Sequence, residues 1–446
     1  MKACTPARRS LLDASLILVL RALDGMRMSR TASMLLRGAL ALASTRQNAV
    51  EEIKRRSLKQ TDDRALLEDL EAAVRVCPAD PALLEQAAGV CLRNGRIERA
   101  KALYAQLAAS RNAECIRVYR TAYMNDKLVS RGKPYVGVLR DVVLETNHCA
   151  LFRGEDVYWR EVSGRNFANH PRVAGRHSPD LGYFGVLDPK PVSAVETPFA
   201  LLGTDGYNYS HWLSRNVLKL FLLDAGGVPD SLPILVNEDL RAFQYEYVDL
   251  LGIPRERLMP VPRDTVLRCS EVLVPTIMRG HAKMRAAIDW LRQRLAVCMV
   301  PPEDANDRLF VSRKDAPQRV LLNESELEMR LADLNFKTVT LTGMSVAEQI
   351  RTFSKARVIV SAHGSGLTNL VFSPPGAAVV EITNTEIRHM GDFRSIAHHM
   401  NQRYIEVVSG WFPDAQPNAV KDEVQKFDYF VNIGDVLAAI NEATSA

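Results

Sequence analysis

The segment from residue 356 to residue 383 has the pattern of a strand, a glycine-containing loop, a short helix and a second strand. Gly364 and Gly366 allow the backbone to turn tightly and to approach a ligand closely. A helix that opens directly after such a loop, here near Leu367, points free N–H groups and a partial positive charge at whatever lies in front of it, commonly a phosphate. The segment predicts an anion site, with a purely structural glycine turn as the alternative.

The same alternation extends over the C-terminal part of the chain. Pro301 and Pro302, with the polar residues up to Arg308, are typical of a linker. Beyond them, short apolar runs separated by helical stretches predict a parallel sheet. These runs are Leu309–Ser312, Thr338–Leu341, Val358–Ser361, Val379–Thr383 and Tyr404–Val408. Shorter β-rich runs mixed with helices begin near residue 134, so we expect an α/β protein with two halves, 134–300 and 301–446, facing a cleft.

The first 60 residues are strongly basic, with 12 Lys or Arg against 4 Asp or Glu, although the whole chain carries only +5. Leu12, Leu16 and Val19 have helical spacing, with arginines nearby. This pattern is typical of helices on anionic membrane surfaces, and equally of a helix packed on the next domain. Nucleic acid is not an expected partner, because the cluster lacks interleaved aromatic residues and the remaining chain is not basic.

Residues 61–130 form a second helical zone. Pro81–Arg93 and Arg96–Ser110 predict two helices joined at Asn94 and Gly95. Their small and apolar residues have spacings similar to one tetratricopeptide repeat. A plain helical hairpin remains the alternative. Either structure would pack against the rest of the protein or recruit a partner, and we expect no catalytic residue in it.

Composition sets the remaining limits. A chain of 446 residues with 24% charged residues is typical of a soluble protein of two to three domains. The seven cysteines are scattered and form no CxxC pair, which argues against a disulfide framework and a structural zinc site. No apolar run is long enough to span a membrane. We therefore expect a cytoplasmic protein with optional contact to the inner membrane through residues 1–60, and no metal.

Three motifs together carry a family resemblance. They are NYSHWL at 208–213, LFVSRKDAPQRVLLNESEL at 309–327, and SAHGSGLTNLVFSPPGAAVVEI at 361–382. In this order and spacing they resemble glycosyltransferase family 61, which includes plant xylosyl and arabinosyl transferases, animal O-linked N-acetylglucosaminyl transferases and bacterial capsule or exopolysaccharide enzymes. The likeness covers roughly residues 199–408.

The resemblance implies a GT-B architecture, in which two Rossmann-like halves face a cleft and the C-terminal half holds the nucleotide-sugar. Arg313, after the predicted strand, would grip the diphosphate bidentately. The implied donor-binding set also contains Asn323, Glu324, His363, Gly364, Ser365, Gly366, Leu367, Thr368 and Asn369. Glu324 would accept from the ribose, or would simply be a helix N-terminal carboxylate. No cofactor is required beyond the nucleotide-sugar, which acts as a co-substrate.

The acceptor side departs from the family pattern. Members usually carry an acidic residue four positions after the histidine of the HW motif, and this chain has Arg215 there. Arginine cannot act as a base near neutral pH. His211 is the best remaining candidate base, followed by Asp205 and then Asp224, although a histidine beside Trp212 is equally consistent with a structural role.

These observations predict an inverting glycosyltransferase whose donor is a UDP-sugar and whose acceptor is a glycan. The expected pathway is capsular or extracellular polysaccharide synthesis. The alternative is a nonenzymatic adaptor that binds a nucleotide or a glycan through a degenerate transferase domain. The intact Arg313 and glycine loop favour the enzyme, and Arg215 favours the adaptor.

Overall fold

The structure is a computed structural model that describes most of the chain beyond residue 28. The described residues are 29–41, 46–57, 64–94, 96–110, 114–121, 124, 134–146, 149–154, 156–158, 162, 183–187, 193–203, 207–263, 265–277, 284–388, 391–410 and 428–445. Among the helices in these ranges, none combines the length and the apolar character that a membrane crossing requires.

Helices dominate the described part of residues 29–110. They are Ser29–Ala41, Arg46–Ser57, Arg64–Val76, Pro81–Arg93 and Ile97–Ser110. Their apolar faces meet in one buried cluster in which Leu36, Ile53 and Leu103 are fully buried. The helices Ser29–Ala41 and Arg46–Ser57 pack in this cluster. The predicted basic helix around Leu12 and Leu16 lies outside the described residues, so both of its interpretations stay predictions. The two predicted helices of residues 81–110 are present, and their likeness to a tetratricopeptide repeat stays a prediction. The predicted helical zone 61–130 is wrong at its end, because Glu114–Thr121 forms a β-strand.

A mixed sheet of ten strands follows, in the order β5-β1-β4-β3-β2-β10-β7-β8-β9, with β6 beside β10. The strands are β1 (Glu114–Thr121), β2 (Val136–Glu145), β3 (Ala150–Arg153), β4 (Asp156–Tyr158), β5 (Tyr183–Leu187), β6 (Ser193–Val195), β7 (Phe199–Leu201), β8 (Ile234–Asn237), β9 (Leu258–Val261) and β10 (Val266–Pro275). β7, β8 and β9 run parallel to one another. Helical segments follow β7 and β8: a run of short helices from Tyr209 to Ala225, and the helix Ala242–Leu250.

The C-terminal part of the chain forms a second sheet of five strands, all parallel, in the order β12-β11-β13-β14-β15. Its strands are β11 (Asp307–Val311), β12 (Phe336–Val339), β13 (Ala356–Ala362), β14 (Ala378–Asn384) and β15 (Arg403–Ser409). The expected α/β class and parallel C-terminal sheet are confirmed. The predicted strand at 338–341 begins and ends two residues earlier in the structure.

Both faces of this second sheet are covered. Along β13, Val358 and Val360 pack with the helices Glu324–Ala332 and Ile433–Thr444, whereas Ile359 packs on the opposite side with the helix Val346–Ser354. Because successive side chains of a strand point to opposite faces, a strand buried on both faces has a continuous apolar sequence. This explains why the run at 358–360 is visible in the sequence.

The helix Met284–Arg294 joins the two parts of the protein. Arg292 donates to the carbonyls of Val371 and Ser373 at 2.8 and 3.1 Å, at the C-terminal end of a 3-10 helix, and Arg285 donates to the carbonyl of His399 at 2.8 Å. Cationic side chains at helix C-termini satisfy the last carbonyls and oppose the helix dipole. The segment after this helix is also fixed, since Arg357 donates to the carbonyls of Pro302 and Ala305.

Candidate active site

A cleft of about 900 Å³ lies where β11 and β13 end. It is lined from both parts of the chain by Tyr209, Arg241, Ala242, Phe243, Glu246, Val311, Ser312, Arg313, Asp315, Ala316, Pro317, Leu341, Thr342, Gly343, Met344, Ser345, Glu348, Gln349, Ser361, Ala362, Gly364, Ser365 and Gly366. Its size is in the range of small-molecule sites.

The topology of the second sheet explains this position. β12 lies on one side of β11, and β13, β14 and β15 lie on the other. The connections after β11 and β13 therefore leave in opposite directions, and the carboxyl ends of these two strands form a topological switch point. Ligands of open α/β sheets bind in the crevice at such a point. The loops that begin at Ser312 and His363 border this crevice.

Arg313 is held over the glycine loop. A β-carbon at residue 364 would lie 1.8 Å from its Nη1 atom, so the guanidinium occupies space that only glycine leaves open. Nη2 donates to the carbonyl of Gln318 at 3.3 Å, and the buried Nε has no hydrogen-bond partner in the described part of the chain. Burial, and next the charge of Arg319, lower the pKa of Arg313. Within the described ranges no carboxylate forms an ion pair with this guanidinium. Arg313 is thus a half-buried cation with donors available to an anion.

The expected helix after the glycine loop is a 3-10 helix, Ser365–Phe372, with Gly364 before its first residue. Gly364, Ser365 and Gly366 line the cleft. The next three predicted residues are buried in or beneath this helix: Leu367, Thr368 and Asn369 are fully buried. Residues 364–366 can therefore contact a ligand directly, whereas residues 367–369 pack beneath them and hold them in place.

Asn369 belongs to a chain of hydrogen bonds beneath the cleft. The hydroxyl of Tyr209 donates to Oδ1 of Asn369 at 2.6 Å and lies 2.8 Å from the hydroxyl of Tyr247. The Nδ2 atom of Asn369 donates to Gln349 at 3.0 Å. Burial raises the pKa of both tyrosines, which keeps them neutral donors. This network connects the HW segment to the glycine loop.

Asn208 makes a second connection. Its Oδ1 atom accepts from the backbone N–H of Ser210 at 2.8 Å and of His211 at 3.3 Å, which caps the helical segment. The same oxygen accepts from Oγ of Ser365 at 3.1 Å. The NYSHWL motif and the glycine loop, which lie more than 150 residues apart in the sequence, are therefore in direct contact.

The predicted acceptor-side residues lie around this contact. His211 is half-buried, with the ring of Tyr207 6.4 Å away, and it is not among the residues that line the cleft. Arg215 lies in the π-helical turn Trp212–Asn216, a rare element that often occurs at functional sites. Asp205 lies outside the described residues. Asp224 is a poor candidate base, because Trp290 and Arg294 donate to it on the surface.

His363 and Glu324 do not line the cleft, so neither is placed for direct contact with a donor bound there. His363 is buried and turned from the cleft, with Nδ1 on the Glu381 carboxylate and its ring 5.0 Å from that of Phe393. Glu324 is buried and accepts from the hydroxyl of Ser312 and from the N–H of Arg313 at 3.2 Å. Neither lines the cleft, so both support the loops that do.

Asn323 also has a structural position. Its Nδ2 donates to the carbonyl of Val431 at 2.8 Å, and its Oδ1 accepts from the N–H of the same residue at 3.1 Å. These two bonds attach the loop after β11 to the C-terminal segment. Asn323 therefore orders the chain near Arg313 and does not reach the cleft.

Sequence reasoning missed the helix Ala242–Leu250, which contributes Phe243 and Glu246 to the cleft, with Arg241 directly before it. No motif marks this helix. Its position after β8 was the only available signal, since loops and helices that follow parallel strands collect at one edge of the sheet. Across the described ranges, no group of three or more His, Cys, Asp and Glu side chains is arranged to hold a metal ion.

Comparison with known proteins matches residues 209–380 to the family model described as glycosyltransferase 61. A rice beta-1,2-xylosyltransferase, XAX1 (Oryza sativa subsp. japonica), is 32% identical over 139 residues, covering 30% of this chain and 24% of that protein. The chicken (Gallus gallus) EGF domain-specific O-linked N-acetylglucosamine transferase is 27% identical over 117 residues, covering 24% and 21%. The Takifugu rubripes protein O-linked-mannose beta-1,4-N-acetylglucosaminyltransferase 2 is 37% identical over 83 residues, covering 18% and 14%.

The matches with these relatives span at most about a quarter of each of them. The residues matched by the family model contain all those that line the cleft. The matched residues begin at Tyr209, in the HW segment, and end at Val380, within β14. They include Arg313, the glycine loop and the Tyr209–Asn369 contact. The predicted resemblance to glycosyltransferase family 61 is therefore confirmed over residues 209–380.

Proposed function

We propose that the protein is an inverting glycosyltransferase that moves a sugar from a nucleotide-sugar to a glycan acceptor. The observation that carries the proposal is the guanidinium of Arg313, held over Gly364 at the carboxyl ends of β11 and β13. A diphosphate in this crevice would meet a cation that the described chain leaves unpaired, and it would meet Ser365 and Gly366, which line the cleft. The proposal includes the GT-B arrangement, with the donor on the second sheet and the acceptor on the first.

Inverting transfer is a single in-line displacement. The acceptor oxygen bonds to the anomeric carbon while the bond from that carbon to the diphosphate oxygen breaks, and the acceptor proton passes to a base. Negative charge then develops on the leaving diphosphate, where Arg313 would stabilise it. His211 and Asp205 remain the candidate bases from the sequence.

The finer assignments rest on resemblance. Relatives that act as xylosyl- or N-acetylglucosaminyltransferases favour a UDP-sugar as the donor. We place the reaction in capsular or extracellular polysaccharide assembly on the cytoplasmic side of the inner membrane. Since the helices Ser29–Ala41 and Arg46–Ser57 pack in the helical cluster, peripheral membrane contact would fall to the basic residues before them, such as Arg8, Arg9 and Arg21.

Calorimetric titration of the protein with UDP-, GDP- and CMP-sugars, paired with a donor-hydrolysis assay, tests the proposal. We expect one nucleotide class to bind and its sugar to be released slowly. Binding of a nucleotide or a glycan with no release and no transfer would instead support the adaptor, which Arg215 favours. Failure of every nucleotide and nucleotide-sugar to bind would overturn donor binding at the cleft.

Replacement of Gly364 with alanine is expected to weaken donor binding about 10-fold or more. The new methyl group would displace the guanidinium of Arg313, and one charge-assisted hydrogen bond contributes about 1.5–3 kcal/mol. The fold should be retained, because the φ of −179° at residue 364 is extended backbone open to alanine. Donor titration and thermal unfolding measure the two effects.

Gly410→Ala is the matched control for this substitution. Gly410 follows β15 of the same sheet, and among the described residues a β-carbon there would meet Cγ2 of Thr385 alone, at an ordinary 3.7 Å. Its donor affinity should equal that of the wild type. Equal affinity in the Gly364→Ala variant would show that the packing of Arg313 on the glycine loop is unimportant for binding.

A further inference from the structure

The cleft contains a carboxylate that the sequence motifs do not identify. Glu246 lies in the helix Ala242–Leu250, which follows β8 of the first sheet, and it lines the same cleft as Arg313 and the glycine loop. We propose, on the basis of the proposed function, that Glu246 is the general base that accepts the acceptor proton in the transfer reaction. It would thus take the place of His211 and Asp205, the candidate bases from the sequence.

Glu246 is held in a defined position. Its Oε1 atom accepts from the backbone N–H of Ala347 at 3.0 Å, at the start of the helix Val346–Ser354. Oε2 has no hydrogen-bond partner among the residues that the structure describes. The side chain is half-buried. One oxygen is therefore anchored, and the other is available for a hydroxyl group, which is the geometry that a general base requires.

The other carboxylates of the cleft are less suitable. Glu348 accepts from both the N–H and the hydroxyl of Ser345 with one oxygen, in a capping box, and it is exposed. Asp315 is exposed and belongs to the loop after Arg313, on the side proposed for the donor. Among the carboxylates that line the described cleft, Glu246 is the one that comes from the part of the chain with the first sheet. This part is the side proposed for the acceptor.

The hydroxyls that surround Glu246 do not compete with it as bases. Tyr247 is buried and Tyr209 is half-buried, and desolvation raises the pKa of both hydroxyls. Both remain protonated near neutral pH. In the transfer step, Oε2 of Glu246 would take the proton of the acceptor hydroxyl. The acceptor oxygen would form its bond to the anomeric carbon, and the diphosphate would leave with the electron pair of the bond that breaks.

Glu246→Gln tests this role, because glutamine keeps an oxygen for the N–H of Ala347 and cannot accept a proton. We expect the rate of sugar transfer to fall about 100-fold or more, in the range for loss of a general base, with donor affinity within about twofold of wild type. Asp249→Asn is the matched control. It makes the same carboxylate-to-amide change on the same helix, at an exposed position paired with Arg255, and it should transfer at the wild-type rate.

Three outcomes would overturn the proposal. Wild-type transfer by Glu246→Gln would exclude the residue as the base. A parallel loss of donor affinity would show that Glu246 only positions the neighbouring helix. Loss of transfer in His211→Gln, Asp315→Asn or Glu348→Gln, but not in Glu246→Gln, would move the role to that residue. A wild-type protein that binds no donor would overturn the proposed function itself, a result that is distinct from all three.

Discussion

Arg313→Ala is expected to weaken nucleotide-sugar binding about 100-fold, while the protein keeps its fold. A guanidinium that meets a diphosphate with two parallel hydrogen bonds contributes about 3 kcal/mol, and 1.4 kcal/mol corresponds to a factor of ten in affinity. The substitution should cost little folding stability, because the guanidinium makes one hydrogen bond within the described ranges, to the carbonyl of Gln318. Calorimetric titration with the nucleoside diphosphate and its sugar would measure the change.

Lys314→Ala is the appropriate control, since Lys314 is the next residue in the same loop and also carries a positive charge. Its Nζ atom pairs with the carboxylate of Glu328 at the surface, and it does not line the cleft. Donor affinity should therefore change less than twofold. If wild type and Arg313→Ala bind the donor equally well, Arg313 does not hold the phosphates, and the cleft must bind its ligand in another way.

The part of the site that could be predicted from sequence is the part that local backbone chemistry determines. β13 is apolar and β-branched because both its faces are buried. It is followed by Gly364, where a β-carbon would meet the guanidinium of Arg313, and by Gly366, where a β-carbon would meet the side chain of Leu341. The apolar run and the glycines after it are both visible as local patterns in the sequence. The strand and the loop can therefore be recognised from the amino-acid sequence alone, whereas the role of Arg313 in donor binding stays a prediction.

The roles of His363 and Glu324 were harder to predict, because each depends on a partner that is distant in the chain. His363 turns toward Glu381 on the neighbouring strand, and Glu324 turns back to the end of β11. A motif shows that such residues lie near a site, and it does not show which way their side chains point. For the same reason, Glu246 had no local signal: only the folded arrangement brings its helix to the cleft.

Glu324→Ala should therefore affect both stability and binding. The carboxylate accepts from the hydroxyl of Ser312 and the N–H of Arg313, and it lies at the first turn of a helix, where a negative charge is favourable. Its loss would leave these two donors without their acceptor near the base of the cleft, at a cost of about 2 kcal/mol in the free energy of unfolding. Urea denaturation would measure this loss.

The same substitution should weaken donor binding about tenfold, because the backbone that carries Arg313 would no longer be fixed. Glu326→Ala is the control: Glu326 is exposed on the same helix, so unfolding free energy should change by less than about 0.5 kcal/mol and donor affinity should stay constant. A Glu324→Ala variant that is destabilised but binds the donor normally would separate the two effects. Arg313 would then be positioned by its packing on Gly364, and the carboxylate would serve the fold alone.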